Sequence, residues 1–241
     1  MGAMNKHLRR DLSRLEAQLF RLGALVEASI KKATVALVER RVELAEEVIA
    51  GDAEIDAHEV EVEEECLKIL ALHQPVASDL RYLVAVLKVN NDLERMGDLA
   101  TNVAERVLYL ASHEPLGVPL EFERMVEVVR RMVSESLDAL VNQDPQAARR
   151  VCAQDDTVDE INRQMFRVLQ ERMLLDPSAI KRAVHTLSAS RHLERIADLA
   201  TNIAEDVVFT VEAEVIRHRP ENYREESRRL ETPTLKGTPR F

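Results

Sequence analysis

The chain has 241 residues, 46% hydrophobic but only 3% aromatic, with no tryptophan, few glycines and a net charge of −10. That composition suits a helical protein and argues against a sandwich or barrel, and the acidic balance leaves no electrostatic footprint for nucleic acid. No apolar run is long enough to span a membrane and no signal peptide is evident; Cys66 and Cys152 read as isolated, reduced, packed thiols of a cytoplasmic protein.

In chain order, Leu8, Leu12, Leu15, Leu19, Leu22, Val26 and Ile30 recur at helical spacing, predicting one long helix from about Lys6 to Ala50 that bends near Arg40–Val42. Gly51-Asp52 is expected to end it, with Asp52 as N-cap of a second helix running to about Leu72. His73-Gln74-Pro75 breaks that helix, and Ser78 or Asp79 is expected to cap a third, ending near Ser112. A turn-rich linker, His113 to Pro119, follows.

The pattern then restarts. Ala36-Leu37-Val38 matches Ala139-Leu140-Val141, and Asp52-x-x-x-Asp56 matches Asp155-x-x-x-Asp159, both at an offset of 103. Pro145, aligned with Val42, is expected to break the fourth helix where the first only bends, and the last helix is expected to reach about His218. The reading is all-α: two tandem pseudo-symmetric three-helix bundles, six principal helices, with units at 1–114 and 115–218 and a disordered tail at 219–241. Each bundle is too thin to stand without neighbours, and its open apolar flank suggests a homodimer.

The longest repeat is Leu93-Glu94-Arg95-Met96-Gly97-Asp98-Leu99-Ala100-Thr101-Asn102-Val103-Ala104-Glu105. It returns as Leu193 to Glu205 with only Met96/Ile196, Gly97/Ala197 and Val103/Ile203 changed. Core packing requires apolar spacing, not the same polar residues twice. On a helix, Leu93, Met96, Ala100, Val103 and Val107 form an apolar seam, while Glu94, Asp98, Thr101, Asn102 and Glu105 form a stripe on the other side. A solvated face is the common fate of such a stripe, but Glu94 and Asp98 are like charges one turn apart, and Asp, Thr and Asn are poor helix formers. Short hard oxygens on a rigid element suit a cation. The second helix adds Asp52, Asp56, Glu59 and Glu63 on one stripe, matched by Asp155, Asp159 and Asn162. Antiparallel packing of helices two and three would set two carboxylate stripes across a groove, where they repel unless a cation lies between them.

These motifs resemble the signature of the PhoU family, as do the turn Gln74-Pro75-Val76-Ala77-Ser78-Asp79-Leu80-Arg81 and the Gly51-Asp52-x-x-Ile55-Asp56 junction. The resemblance spans both halves, from about Leu12 to Glu212. It implies two pseudo-symmetric three-helix bundles carrying multinuclear metal clusters at the surface, iron foremost, with zinc or another divalent cation as the alternative. Carried over, Glu94, Asp98 and Asn102 with Asp52 and Asp56 make one site; Glu194, Asp198 and Asn202 with Asp155 and Asp159 make the other. Many relatives have His after the motif Asp, where this chain has Leu99 and Leu199, which leaves metal identity more open. The resemblance also implies a cytoplasmic, often dimeric, non-enzymatic regulator that dampens phosphate uptake. It would bind the phosphate-transporter ATPase subunit and the sensor histidine kinase, and meet the membrane only through partners.

Two other readings share the composition. A metal-free structural adaptor explains everything except the duplicated polar spelling. A di-metal carboxylate enzyme wants Glu-x-x-His pairs facing the bundle core, and no histidine here has Glu three residues before it. His58 lies between stripe positions and is expected to be solvated.

Overall fold

The structure is a computed structural model and describes residues 6–214 and 216. Its elements are α1 (Lys6–Glu39), α2 (Val42–His73), α3 (Ser78–Ala111), α4 (Phe122–Asn142), α5 (Pro145–Cys152), α6 (Asp155–Leu175), a 3₁₀ turn (Pro177–Ala179) and α7 (Ile180–Glu212). No strand occurs among the described residues. The chain is all-α, with six long helices and the short α5.

In α1 the apolar seam Leu8, Leu15, Leu19, Leu22, Val26 and Ile30 is buried against α2 and α3. Full burial of such a side chain is worth roughly 1.5–3 kcal/mol, and truncating Leu22 to Ala would cost roughly 2–5 kcal/mol. The second half repeats the arrangement, with α4, α5 and α6 all packed on α7.

The helix joints differ from expectation. The first helix does not bend at Arg40; it stops there, with Arg40 in the left-handed region at φ 56°, and α2 runs unbroken through Gly51-Asp52. Asp52 therefore caps nothing. The Arg40 guanidinium donates to the carbonyls of Leu110 and His113 at the far end of α3, a tie that stops α1 in place of any turn residue. Gly51 costs roughly 1 kcal/mol relative to Ala inside a helix, a loss the packed helix tolerates. The second half breaks at the matching place, Gln143 at φ 50°, by a different chemistry. Asp144 accepts from the backbone N–H of Gln146 and Ala147 at 2.9 and 3.0 Å, with Pro145 at the first helical position. The joint expected at Gly51-Asp52 appears only here, as the turn between α5 and α6, where Gln154 is held by Arg131 and Glu135 of α4.

Neither Ser78 nor Asp79 caps α3; its N-terminus follows Ala77, held at φ 51° and ψ −115°. The last helix ends at Glu212, with Ala213 left-handed at φ 57°, rather than at His218. The tail at 219–241 lies outside the described residues. Cys66 and Cys152 are free and buried, and burial pushes both thiols up to about 12. His58 is not solvated: it is 9% exposed, in the core face of α2, and occupies the place of Ile161 in the second half.

The halves are not two free-standing bundles. Their most extensive helix pairing is α3 against α7, and one hydrophobic core runs through both halves. The pairing is antiparallel: Lys88 of α3 meets Asp206 near the end of α7 at 3.2 Å, while Arg106 at the other end of α3 acts on His185 and His192. The apolar flank from which a homodimer was inferred is thus covered within the chain. A small second core, Leu116, Leu169, Ala179 and Ala183, tucks the inter-repeat linker onto the α6–α7 end.

Candidate metal centre

The seam residues Leu93, Met96, Ala100, Val103 and Val107 are all buried, which turns the polar stripe of α3 toward α2 and solvent. Gly97 of α3 packs directly against Ile55 of α2. A Cβ there would meet Ile55 Cγ2 at 3.1 Å, so the glycine lets α2 bring Ile55, and with it Asp52 and Asp56, up to Asp98. The second half makes the same approach with the volumes exchanged, Ala197 where Gly97 stands and Val158 where Ile55 stands.

Asp52 and Asp56, one turn apart on α2, and Asp98 on α3 each offer an oxygen within 4.8 Å of the others. Asp56 and Asp98 are exposed and Asp52 is half-buried. Burial, then Asp52 and Asp56, push the Asp98 carboxyl above its usual range, and no basic group acts to lower it. Glu94 is raised by burial and then by Asp98, Glu59 and Asp56, so it belongs to the same set. Glu59, part of the α2 stripe but outside the expected ligands, is raised by burial, Glu63 and Asp56 and is a member as well. Thr101 Oγ1 donates to Asp52 Oδ1 at 3.0 Å, fixing that carboxylate as an outer hydrogen bond fixes a metal ligand. Asn102 donates its amide Nδ2 to the Asp98 carbonyl at 2.8 Å.

In the second half, Asp155 and Asp159 of α6 and Glu194 and Asp198 of α7 act on one another. Burial first, then Asp198, Asp159, Asp156 and Glu194, push Asp155 up to about 7. Asp198 is raised by burial and Asp159, and Glu194 by burial, Asp198 and Asp159. Asn202 shares a cleft of about 380 Å³ with Asp155, Asp198, Thr201 and two arginines, Arg95 and Arg195. Among the described residues no other acidic group of three converges within the 4.8 Å seen in the first half. Thr201 Oγ1 is buried without a hydrogen-bond partner, unlike Thr101.

The eight expected carboxylates therefore fall into two sets, one per half, on the expected helices, while Asn102 is seen only on the Asp98 carbonyl and Asn202 lines the cleft of its half. The donor chemistry fits a hard cation: carboxylates held together against their repulsion, half-open to water, with a hydroxyl orienting one of them. Leu99 and Leu199, which follow the motif aspartates, are both 4% exposed and contribute nothing to either set. The arginines were missed by ligand reasoning, although Arg95 and Arg195 are repeated as faithfully as the acids.

A duplicated helical fold with a solvent-facing carboxylate set on the second and third long helices of each half defines a class of protein distinct from bundles with enclosed di-metal cores. A family model described as the PhoU domain matches residues 19–107 and again 122–207, one match per repeat. The chain belongs to the PhoU family. It is 44% identical over 210 residues, 87% of this chain and 95% of the relative, to the "phosphate-specific transport system accessory protein PhoU homolog" of Aquifex aeolicus. The crystal structure of PhoU from Pseudomonas aeruginosa is similar at a TM-score of 0.83 and 37% identity, covering 86% of this chain and 99% of that one. That of the "phosphate transport system regulatory protein PhoU" from Streptococcus pneumoniae gives 0.76 and 28%, covering 86% and 98%.

Proposed function

We propose that this protein is a metal-binding accessory protein of a phosphate-specific transport system, acting by binding rather than catalysis. The observation that carries the metal reading is the convergence of Asp52, Asp56 and Asp98 within 4.8 Å, on a motif repeated in the second half. Asp52, Asp56, Glu94, Asp98 and Asn102 would hold one multinuclear cluster, and Asp155, Asp159, Glu194, Asp198 and Asn202 the other. Iron is the leading metal. Bound cations would neutralise the crowded carboxylates and so tie the exposed faces of α2 to α3 and of α6 to α7.

The transport role comes from the relatives' names, which join them to phosphate transport. In this chain it would take the form of negative control of uptake and of the phosphate-starvation response, through the transporter ATPase subunit and the sensor histidine kinase, in the cytoplasm. No described helix is long and apolar enough to cross a membrane, so membrane contact would run through those partners. A homodimer would use surface other than the α3–α7 seam, such as the exposed Leu72 and Val76 or Leu174 and Leu175 at the two hairpin ends.

The test is retention of the ATPase subunit on immobilised protein before and after chelation, with metal content measured in parallel. Capture that weakens on chelation and in the Asp98→Ala/Asp198→Ala double variant supports the reading. Full metal loading with no capture of the ATPase subunit refutes the regulatory half of it.

A further inference from the structure

The duplicated site has diverged in charge between the halves. Glu59 of α2 is matched in α6 by the neutral Asn162, and Asn91 of α3 is matched in α7 by Arg191. Both changes make the second site more positive, and the structure brings them together. Arg191 and Arg195, one turn apart on α7, line a cleft of about 490 Å³ with Asn162, Ser188, His192 and the acid-set carboxylate Glu194. Arg195 also lines the cleft of about 380 Å³ over Asp155 and Asp198, which Arg95 reaches from α3 across the seam between the halves. Among the described residues neither Arg191 nor Arg195 has a carboxylate within ion-pair distance. Their field still reaches the acid set, since both oppose the upward push on Glu194.

In a protein of net charge −10, two guanidinium groups without ion-pair partners among the described residues, Arg191 and Arg195, stand in one cleft beside Glu194 of the acid set. We propose that the second-half site takes a phosphate group together with its cation, held by Arg191 and Arg195 in the cleft they share with Glu194, whereas the first-half site takes the cation alone. Guanidinium forks match phosphate oxygens bidentately, and a cation among the carboxylates accepts the remaining oxygens. Without the cation, Asp155, Asp159, Glu194 and Asp198 would repel the anion, so phosphate binding depends on metal. The proposal rests on the metal reading of the acid sets and adds the ligand that one of them shares.

The experiment is equilibrium dialysis of the full chain, metal-loaded and chelator-stripped, against radiolabelled inorganic phosphate, with ATP as competitor and metal content measured in every sample. The metal-loaded protein is expected to bind inorganic phosphate at one site per chain, and the stripped protein at least tenfold more weakly. Arg191→Asn, which installs the first half's own residue, and Arg195→Gln should keep their metal yet bind phosphate about tenfold or more weakly. Asp198→Ala should lose the metal of its half and phosphate together. If ATP displaces phosphate with the same arginine dependence, a nucleotide supplies the phosphate group; if not, free phosphate is the ligand. Metal in both halves with no phosphate affinity, or arginine variants that bind like wild type, overturns the proposal alone. A wild type that never holds metal overturns it together with the metal reading.

Discussion

Replacing Asp155 by Asn should stabilise the metal-free protein, increasingly as pH rises from about 4 to about 7. The carboxyl is ordinary in the unfolded chain, at 3.8, and is pushed up to about 7 in the fold, by burial and then by Asp198, Asp159, Asp156 and Glu194. Between those values the folded protein holds a proton that the unfolded chain has lost, so stability falls as pH rises. Below 3.8 both states are protonated and Asp155 costs nothing; above about 7 its full cost is present. Each pH unit between the two values is worth about 1.4 kcal/mol, a ceiling of about 4 kcal/mol. The group is half-buried at an open cleft, so solvent screening reduces the expected cost to about 1–2 kcal/mol. The substitution also forfeits a few tenths of a kcal/mol of favourable charge at the α6 N-terminus. For a chain of this size the variant should melt roughly 2–6 °C above wild type at about pH 8, and within about 1 °C of it at about pH 3.5, where both states are protonated. His185 and His192, whose pKa values burial lowers, act in the opposite sense, so the comparison is variant minus wild type at each pH. Melting in the presence of chelator, with the difference taken at both pH values, is the assay. A variant no more stable than wild type at about pH 8 would refute the view that the acid set is under uncompensated repulsion.

Gly97→Ala and Ile55→Val should be coupled, because the added methyl meets Ile55 at 3.1 Å and Val158 opposite Ala197 shows the compensated pair. A double-mutant cycle by urea denaturation should give about 0.5–1 kcal/mol of favourable coupling, and strict additivity would sink the packing account. Ala77→Gly should raise stability by about 1 kcal/mol by relieving a φ of 51° that suits glycine, read as a shift in the denaturation midpoint. Asp144→Ala should cost about 1 kcal/mol, since it frees the N–H groups of Gln146 and Ala147; an unchanged midpoint would show that the cap contributes nothing.

The repeat, the helical class and both acid sets were legible because they are written locally. Asp52-x-x-x-Asp56 and Glu94-x-x-x-Asp98 each lie on one helix face, and the antiparallel packing of neighbouring helices brings the faces together. The end of α1 was not legible, since it depends on Arg40 reaching the carbonyls of Leu110 and His113, a contact some seventy residues away in sequence. Gly51 looked like a terminator because local propensity ranks it so, and packing of α2 on α1 and α3 overrode that preference. His58 was misread from its acidic neighbours, although its alignment with Ile161 placed it in the core. The arginine-lined clefts depend on the α3–α7 crossing, which brings Arg95 to the other half's site and has no local signature.

The central claim is that the polar spelling is duplicated because each half holds metal. Elemental analysis of the protein expressed with mixed metals, alongside Asp98→Ala, Asp198→Ala and the double variant, tests it most directly. Metal in the wild type, a partial loss in each single variant and none in the double, with the helical signal unchanged throughout, is the expected result. A double variant with full metal content, or a wild type that carries no metal under any loading condition, would make both stripes ordinary solvated faces.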